Sequence, residues 1–230
     1  MFTIIKLYLN FAADTIILFF KYEFWKYYVL IIVGTYILVM SSFDWQYFLF
    51  TQKYIPKYFL FIADSIGFLS PILFLIFIFF FTRKNKESVH IQKLKIFALS
   101  IVVAFLSSEF IKIFTGRISP PDDLVFDKIS GTNVLSTLVD NSHAFQFGFM
   151  REQIIGGFPS SHTTVIFALA FTFALLFPKH YKLQALFYLF AAMVALGVSF
   201  GFHWLSEIYA GAILGYVVAK VVQIKNANNL

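Results

Sequence analysis

The sequence predicts an all-α integral membrane protein, six transmembrane helices preceded by an N-terminal interfacial amphipathic helix. Composition is the first observation: of 230 residues, 60% are hydrophobic and 13% charged, where soluble domains carry about 45–50% apolar and about 25% charged residues. Mean hydropathy, at +0.79, is the second. The third is that the apolar residues gather into stretches close to the roughly 20 residues a bilayer requires. A chain of this length accommodates one membrane domain over 25–230 and no separate soluble domain of useful size. Zero cysteines exclude disulfides, thiolate metal sites and cysteine catalysis. The net charge of +6 sits in short links beside apolar spans, so membrane orientation explains it and no nucleic-acid partner is implied.

The first element is an interfacial helix within residues 1–24. In Phe2–Phe20, Lys6, Asn10 and Asp14 recur every fourth residue, which places the polar groups on one helical face. A cleaved signal peptide fits less well, because no small-residue cleavage site follows. The spans then read Trp25–Ser42, Tyr58–Thr82, Leu94–Phe114, Thr163–Phe177, Leu183–Phe202 and Ile208–Val222, the fourth and sixth short enough to need their polar flanks. Arg83, Lys84, Lys86, Lys93 and Lys95 lie between the second and third spans, Lys179 and Lys182 between the fourth and fifth, and Lys220 and Lys225 at the C-terminal end. Six spans put all of these on one side with the N-terminus, and the positive-inside rule makes that side cytoplasmic. The opposite side receives Phe43–Lys57, the long link 115–162 and the turn at His203–Glu207.

That topology brings three distant clusters to one membrane face. In the first, "KIFTGRISPPDD", Gly116 ends a helix, and Lys112 and Arg117 set two cations beside that end, a natural phosphate site. In the second, "FPSSHT", Pro159 fixes a helix entry and Ser160 or Ser161 serves as its N-cap. Free N–H groups of the first turn suit an anion, and His162 on that turn could donate a proton to a leaving oxygen. In the third, "GVSFGFHWLSEIYAG", His203 and Glu207 are four residues apart, so a carboxylate can hold one imidazole nitrogen and leave the other free to attack. Metal binding ranks lower, since no third ligand stands at companion spacing. Gly197 and Gly201, and again Gly211 and Gly215, are read as helix-packing residues. Each cluster alone also has a plainer reading. Cations at span ends snorkel to water, "FPSSHT" can be a capped helix with an interfacial histidine, and Asp64 and Glu109 can be structural partners, Glu109 of Lys112 three residues on.

Taken together and in order, Lys-x-x-x-x-Arg…Pro, Pro-Ser-x-His and His-x-x-x-acid resemble the type 2 phosphatidic acid phosphatase (PAP2) superfamily, whose pattern is K-x6-R-P, P-S-G-H and S-R-x5-H-x3-D. The resemblance covers roughly Lys112 to Gly211, and the six-helix PAP2-like bundle extends it over most of the chain. It implies a phosphatase working through a phosphohistidine without cofactor or metal. On that pattern His203 is the nucleophile, Glu207 orients it, and His162 protonates the leaving group. Lys112, Arg117, Ser160 and Ser161 hold the phosphoryl oxygens. Implied substrates are membrane lipids: undecaprenyl diphosphate, phosphatidylglycerol phosphate, phosphatidic acid or lipid A phosphates. The implied location is a bacterial inner membrane with the site facing the periplasm.

The chain departs from the pattern where the pattern is cationic. Ser119 stands where the family has arginine, although Pro120 follows as expected; Leu196 and Gly197 stand where it has serine and arginine. Glu207 replaces aspartate and Ser161 replaces glycine. One oriented arginine is worth about 10³–10⁵ in rate in other phosphoryl-transfer enzymes, so the loss admits three accounts. Arg151, in the long link, replaces a missing cation; the substrate is a phosphodiester with less charge at phosphorus, transferred between lipids; or a lipid-binding pocket persists without catalysis. Retention of His162, His203 and an acid at Glu207 argues against the last.

Overall fold

A computed structural model describes residues 14–83, 87–121, 139–149 and 157–226. Among them every regular element is helical. A short helical stretch over 14–19 and a 3-10 turn, Tyr22–Phe24, lead into α1 (Trp25–Met40), α2 (Phe43–Tyr54), α3 (Lys57–Thr82), α4 (Glu87–Thr115), α5 (Ser161–Leu176), α6 (Tyr181–Ser199) and α7 (Leu205–Asn226). Five of these are long and apolar enough to cross a membrane. The five sequence-predicted spans that match them are α1, α3, α4, α6 and α7. The remaining one, the fourth predicted span, is α5, apolar but only 16 residues long, a rise of about 24 Å against a hydrocarbon core of about 30 Å. Most of the predicted interfacial helix lies outside the described residues. Its described end packs Leu18 and Phe19 against Val217 and Val221 of α7, and Asp14 pairs with Lys225 Nζ at 3.0 Å.

Burial grades these helices from lipid to core. Only 11% of the first span is buried, whereas 67% of α7 is, so α7 belongs to the interior with α5. The two interior helices approach closely because Gly211 and Gly215 present bare backbone. A Cβ on Gly211 would lie 2.9 Å from the Ser160 carbonyl, and one on Gly215 2.7 Å from that of Thr164. The predicted packing role of this glycine pair therefore holds. Around α5, Phe74, Phe97, Phe173 and Phe187 interlock at ring separations of 4.5–5.7 Å.

One end of the bundle gathers the basic links. His180 lies 5.3 Å from the ring of Phe81, Lys93 Nζ sits 4.4 Å from the Phe177 ring, and Ile96, Leu176 and Gln223 line one hollow. The other end carries α2. Read from sequence as a link, Phe43–Lys57 is mostly helix, but 12 residues cannot span a bilayer. Instead α2 docks over the end of α6: Tyr47 Oη and Ser199 Oγ are 2.8 Å apart, and Gln52 Nε2 donates to the Phe200 carbonyl. Phe48 and Trp45 of α2 pack on Trp204. This helix roofs the end at which the three motif clusters meet.

Candidate active site

Each cluster is placed by its local chemistry. α4 stops at Thr115 because Gly116 adopts φ +45° and returns its N–H to the Lys112 carbonyl at 3.0 Å, the left-handed C-terminal cap that glycine permits. Beyond it the chain is held by a ladder of backbone bonds. Ile118 donates to Ala144, Gln146 to Thr115, and Gly157 to Arg117. The Thr115 hydroxyl donates to the Phe158 carbonyl at 3.0 Å, tying the first motif to the second. The second motif enters α5 through a cis Phe158–Pro159 bond. Ser160 is the N-cap, its Oγ accepting from the Thr163 N–H at 3.4 Å.

The third motif supplies the central pair. His203 Nδ1 and Glu207 Oε2 are 2.7 Å apart, with the glutamate wholly buried and the imidazole 11% exposed. A carboxylate on Nδ1 fixes that nitrogen as the donor and leaves the Nε2 lone pair to act outward. The His162 ring lies 6.4 Å from the His203 ring, centroid to centroid, inclined at 65°. Two imidazoles, one on the first turn of α5 and one in the turn that leads into α7, therefore lie beside one space.

The third wall of this space is α3, shaped by its proline. Pro71 cannot donate to the Gly67 carbonyl, four residues back, and the Ser70 hydroxyl does so instead at 2.8 Å. Gly67 in turn faces His162, where an added Cβ would lie 3.2 Å from the imidazole Cδ2. A side chain there would crowd the ring.

The expected phosphate cations are arranged differently from each other. Lys112, with a side chain 12% exposed, pairs with Glu109 Oε1 at 3.1 Å. The same oxygen accepts from Ser161 Oγ at 2.5 Å, and Ser108 Oγ donates to Ser161 Oγ. Lys112, Ser161 and Glu109 thus form one cluster beside His162. Ser160 is fully buried and its N–H donates to the Glu207 carbonyl at 3.2 Å, so that N–H braces α5 against α7. Arg117 departs from the arrangement expected of a phosphate clamp. Its side chain is wholly buried and makes four hydrogen bonds: Nε and Nη2 to the Ser142 carbonyl, Nη2 to Asp44 Oδ2 at 2.7 Å, and Nη1 to Ser206 Oγ. Nε also lies 3.8 Å from Glu207 Oε1, an oxygen with no hydrogen-bond partner among the described residues. The physical reason is burial: a guanidinium removed from water must be met by fixed acceptors, and α2 and the 139–149 segment supply them. Arg151 lies outside the described residues.

Sequence reasoning missed Asp44. Wholly buried on α2, it accepts the Ser206 N–H at 2.9 Å through Oδ1 and pairs with the Ser206 hydroxyl through Oδ2. A carboxylate on a first-turn N–H of α7 satisfies one orphan donor and complements the helix dipole. No spacing rule connects residue 44 to residue 206. The only available signal was an acidic residue within an aromatic link. Gly157 was missed as well: a Cβ on it would run into both oxygens of the Glu207 carboxylate.

The described helices form a multi-helix membrane bundle that brings a carboxylate-held histidine and a second histidine to one end. The chain belongs to the PAP2 superfamily, whose family model matches residues 93–229, more than half its length. In fold it is similar to the transmembrane PAP2-type phosphatidylglycerolphosphate phosphatase from Bacillus subtilis, with a TM-score of 0.54 and 16% identity over 90% of this chain and 98% of that one. No curated protein sequence matches it. Family and fold together support a multi-pass membrane phosphatase at the level of the family.

Proposed function

We propose that the protein hydrolyses a lipid phosphate or diphosphate through a phosphohistidine on His203. The observation that carries this reading is the 2.7 Å bond between His203 Nδ1 and Glu207, with the His162 ring 6.4 Å away across the same space. Nε2 of His203 attacks phosphorus, the bond from phosphorus to the lipid oxygen breaks, and that oxygen takes a proton from His162. A water molecule then gives a proton to His162 and attacks the phosphohistidine. The nitrogen–phosphorus bond breaks and inorganic phosphate leaves. Lys112 and Ser161, with Arg151 from the long link, hold the phosphoryl oxygens, and the Ser160 cap sets the first turn of α5 beneath them. Arg117 serves here by fixing Glu207 and α7 rather than by touching phosphate. Undecaprenyl diphosphate, phosphatidylglycerol phosphate, phosphatidic acid and lipid A phosphates are the substrates to assay, with the site on the periplasmic face of a bacterial inner membrane. The test is His203→Ala in purified protein against that panel. Loss of phosphate release supports the reading, and unchanged release rejects it.

A second reading, transfer of a phosphodiester head group between lipids, is favoured by one observation. The two cations described at the site are both partnered by carboxylates, Lys112 by Glu109 and Arg117 by Asp44. A site so neutralised suits a phosphorus centre bearing one charge better than one bearing two. Mass spectrometry separates the readings: head-group-exchanged lipid without stoichiometric free phosphate establishes transfer.

A further inference from the structure

We infer that residues 145–149 form an aromatic edge seated in the membrane itself, in the leaflet at the site's end of the bundle, although they belong to a link between spans. The sequence there is "FQFGF". The Phe145 and Phe147 rings stack at 5.6 Å, and Gly148, at φ +130°, turns the chain so that Phe149 follows along α4. Backbone bonds fix this segment alongside the end of α4: Gln146 N–H donates to the Thr115 carbonyl and Gly148 N–H to that of Phe114, at 3.1 and 2.8 Å. Both carbonyls belong to the last turn of a helix, where partners are otherwise lacking. The rings continue downward along α4. Phe147 lies 6.0 Å from Phe114, and Phe149 lies 5.3 Å from Phe114 and 5.7 Å from Phe110.

The depth follows from helix geometry. Phe110 precedes the end of α4 by five residues, a rise of about 7.5 Å, so Phe149 reaches that far back toward the bilayer centre. The apolar span Ser88–Thr115 is 28 residues long, longer than the roughly 20 residues that cross the hydrocarbon. Counting such a length from Ile96, the first residue beyond Lys95, ends at Thr115 and places Phe110 inside the hydrocarbon and Phe114 near its boundary. Exposure completes the case. Phe147 and Phe149 are 67% and 56% exposed, and they extend the outward face of α4 formed by Val102, Phe105, Leu106, Phe110 and Phe114. That face already meets lipid, so the occupant that continues over the patch is the acyl-chain region beneath the head groups. On the inward side, Phe145 packs on Phe158, beside the entry to α5, and under Arg117. The edge thereby sets the height of the His162 turn relative to the lipid head groups.

The chain has no cysteine, which makes the test direct. Full-length Phe147→Cys, Phe149→Cys and His143→Cys variants are labelled with a small fluorophore and reconstituted in phosphatidylcholine vesicles. Position 143 is exposed and lies in the turn that precedes the aromatic segment. We expect labels at 147 and 149 to be quenched several-fold more strongly by lipids spin-labelled near the head group than the label at 143, and less by aqueous iodide. Iodide quenching at 147 and 149 equal to that at 143 overturns the inference, because the edge then faces water. Protection from both quenchers overturns it too, because protein rather than lipid then covers the edge. Thermal melting of each labelled variant, matched to the parent, confirms that the measurement reads the native fold. None of these outcomes depends on catalysis.

Discussion

At the scale of single residues, two cations that look alike in sequence do different work. Arg117 is wholly buried on fixed acceptors, whereas Lys112 is a partly accessible side chain linked through Glu109 to Ser161, the residue before His162. Breaking a buried ion pair by removing one partner costs about 3–5 kcal/mol. Asp44→Ala is therefore expected to lower the thermal midpoint in detergent by that much stability, while Lys112→Ala leaves the midpoint near that of the parent and raises KM for the lipid phosphate. Equal melting of both variants would remove the distinction. Gly157→Ala tests the seat of the Glu207 carboxylate, which the added methyl group displaces. The expected result is a fall in kcat with a folded protein, and normal turnover would show that Glu207 has room to move. His162→Ala, as loss of a general acid, is expected to cost about 10²–10⁴-fold in rate.

At the scale of elements, the helices that hold the site depend on close approach and on repaired backbone. Gly215→Leu is expected to force α7 from α5 and to abolish both a cooperative melt and activity, since the space opposite Gly215 is backbone of α5. The long spans were legible because continuous apolar stretches leave little alternative to a helix in lipid. The His203–Glu207 bond was legible too, because four residues is one helical turn. α2 was not. Twelve residues of mixed polarity are too short to read as a span, and their role is set by docking on Trp204 and Phe200, which no local pattern encodes. For the same reason Asp44 escaped notice, and Arg117 read as a phosphate ligand: the acceptors that surround it come from residues 44, 142 and 206.

At the scale of the whole molecule, the basic links collect at one end and the three motifs at the other, as the alternation of spans requires. Thiol chemistry can assign the two ends to compartments, because the native chain offers no background cysteine. With the orientation proposed, a membrane-impermeant maleimide added to intact cells labels His143→Cys and not Arg83→Cys; the reverse pattern would invert the topology. The neutralised cations at the site bear on the whole-molecule question of substrate charge. Glu109→Gln frees Lys112 from its carboxylate, so phosphomonoester hydrolysis is expected to rise if Glu109 restrains it, and an unchanged rate would show that it does not.

If His203 carries the phosphoryl group as proposed, the phosphohistidine can be trapped and located. The protein is mixed with a lipid phosphate from the panel, quenched in alkali where phosphohistidine survives, digested, and mapped by mass spectrometry. The expected result is an added phosphoryl group on the peptide bearing His203, stronger in His162→Ala if release slows more than formation, and absent in His203→Ala. Phosphate release from wild-type protein with the label on another residue, or undiminished in His203→Ala, would contradict it.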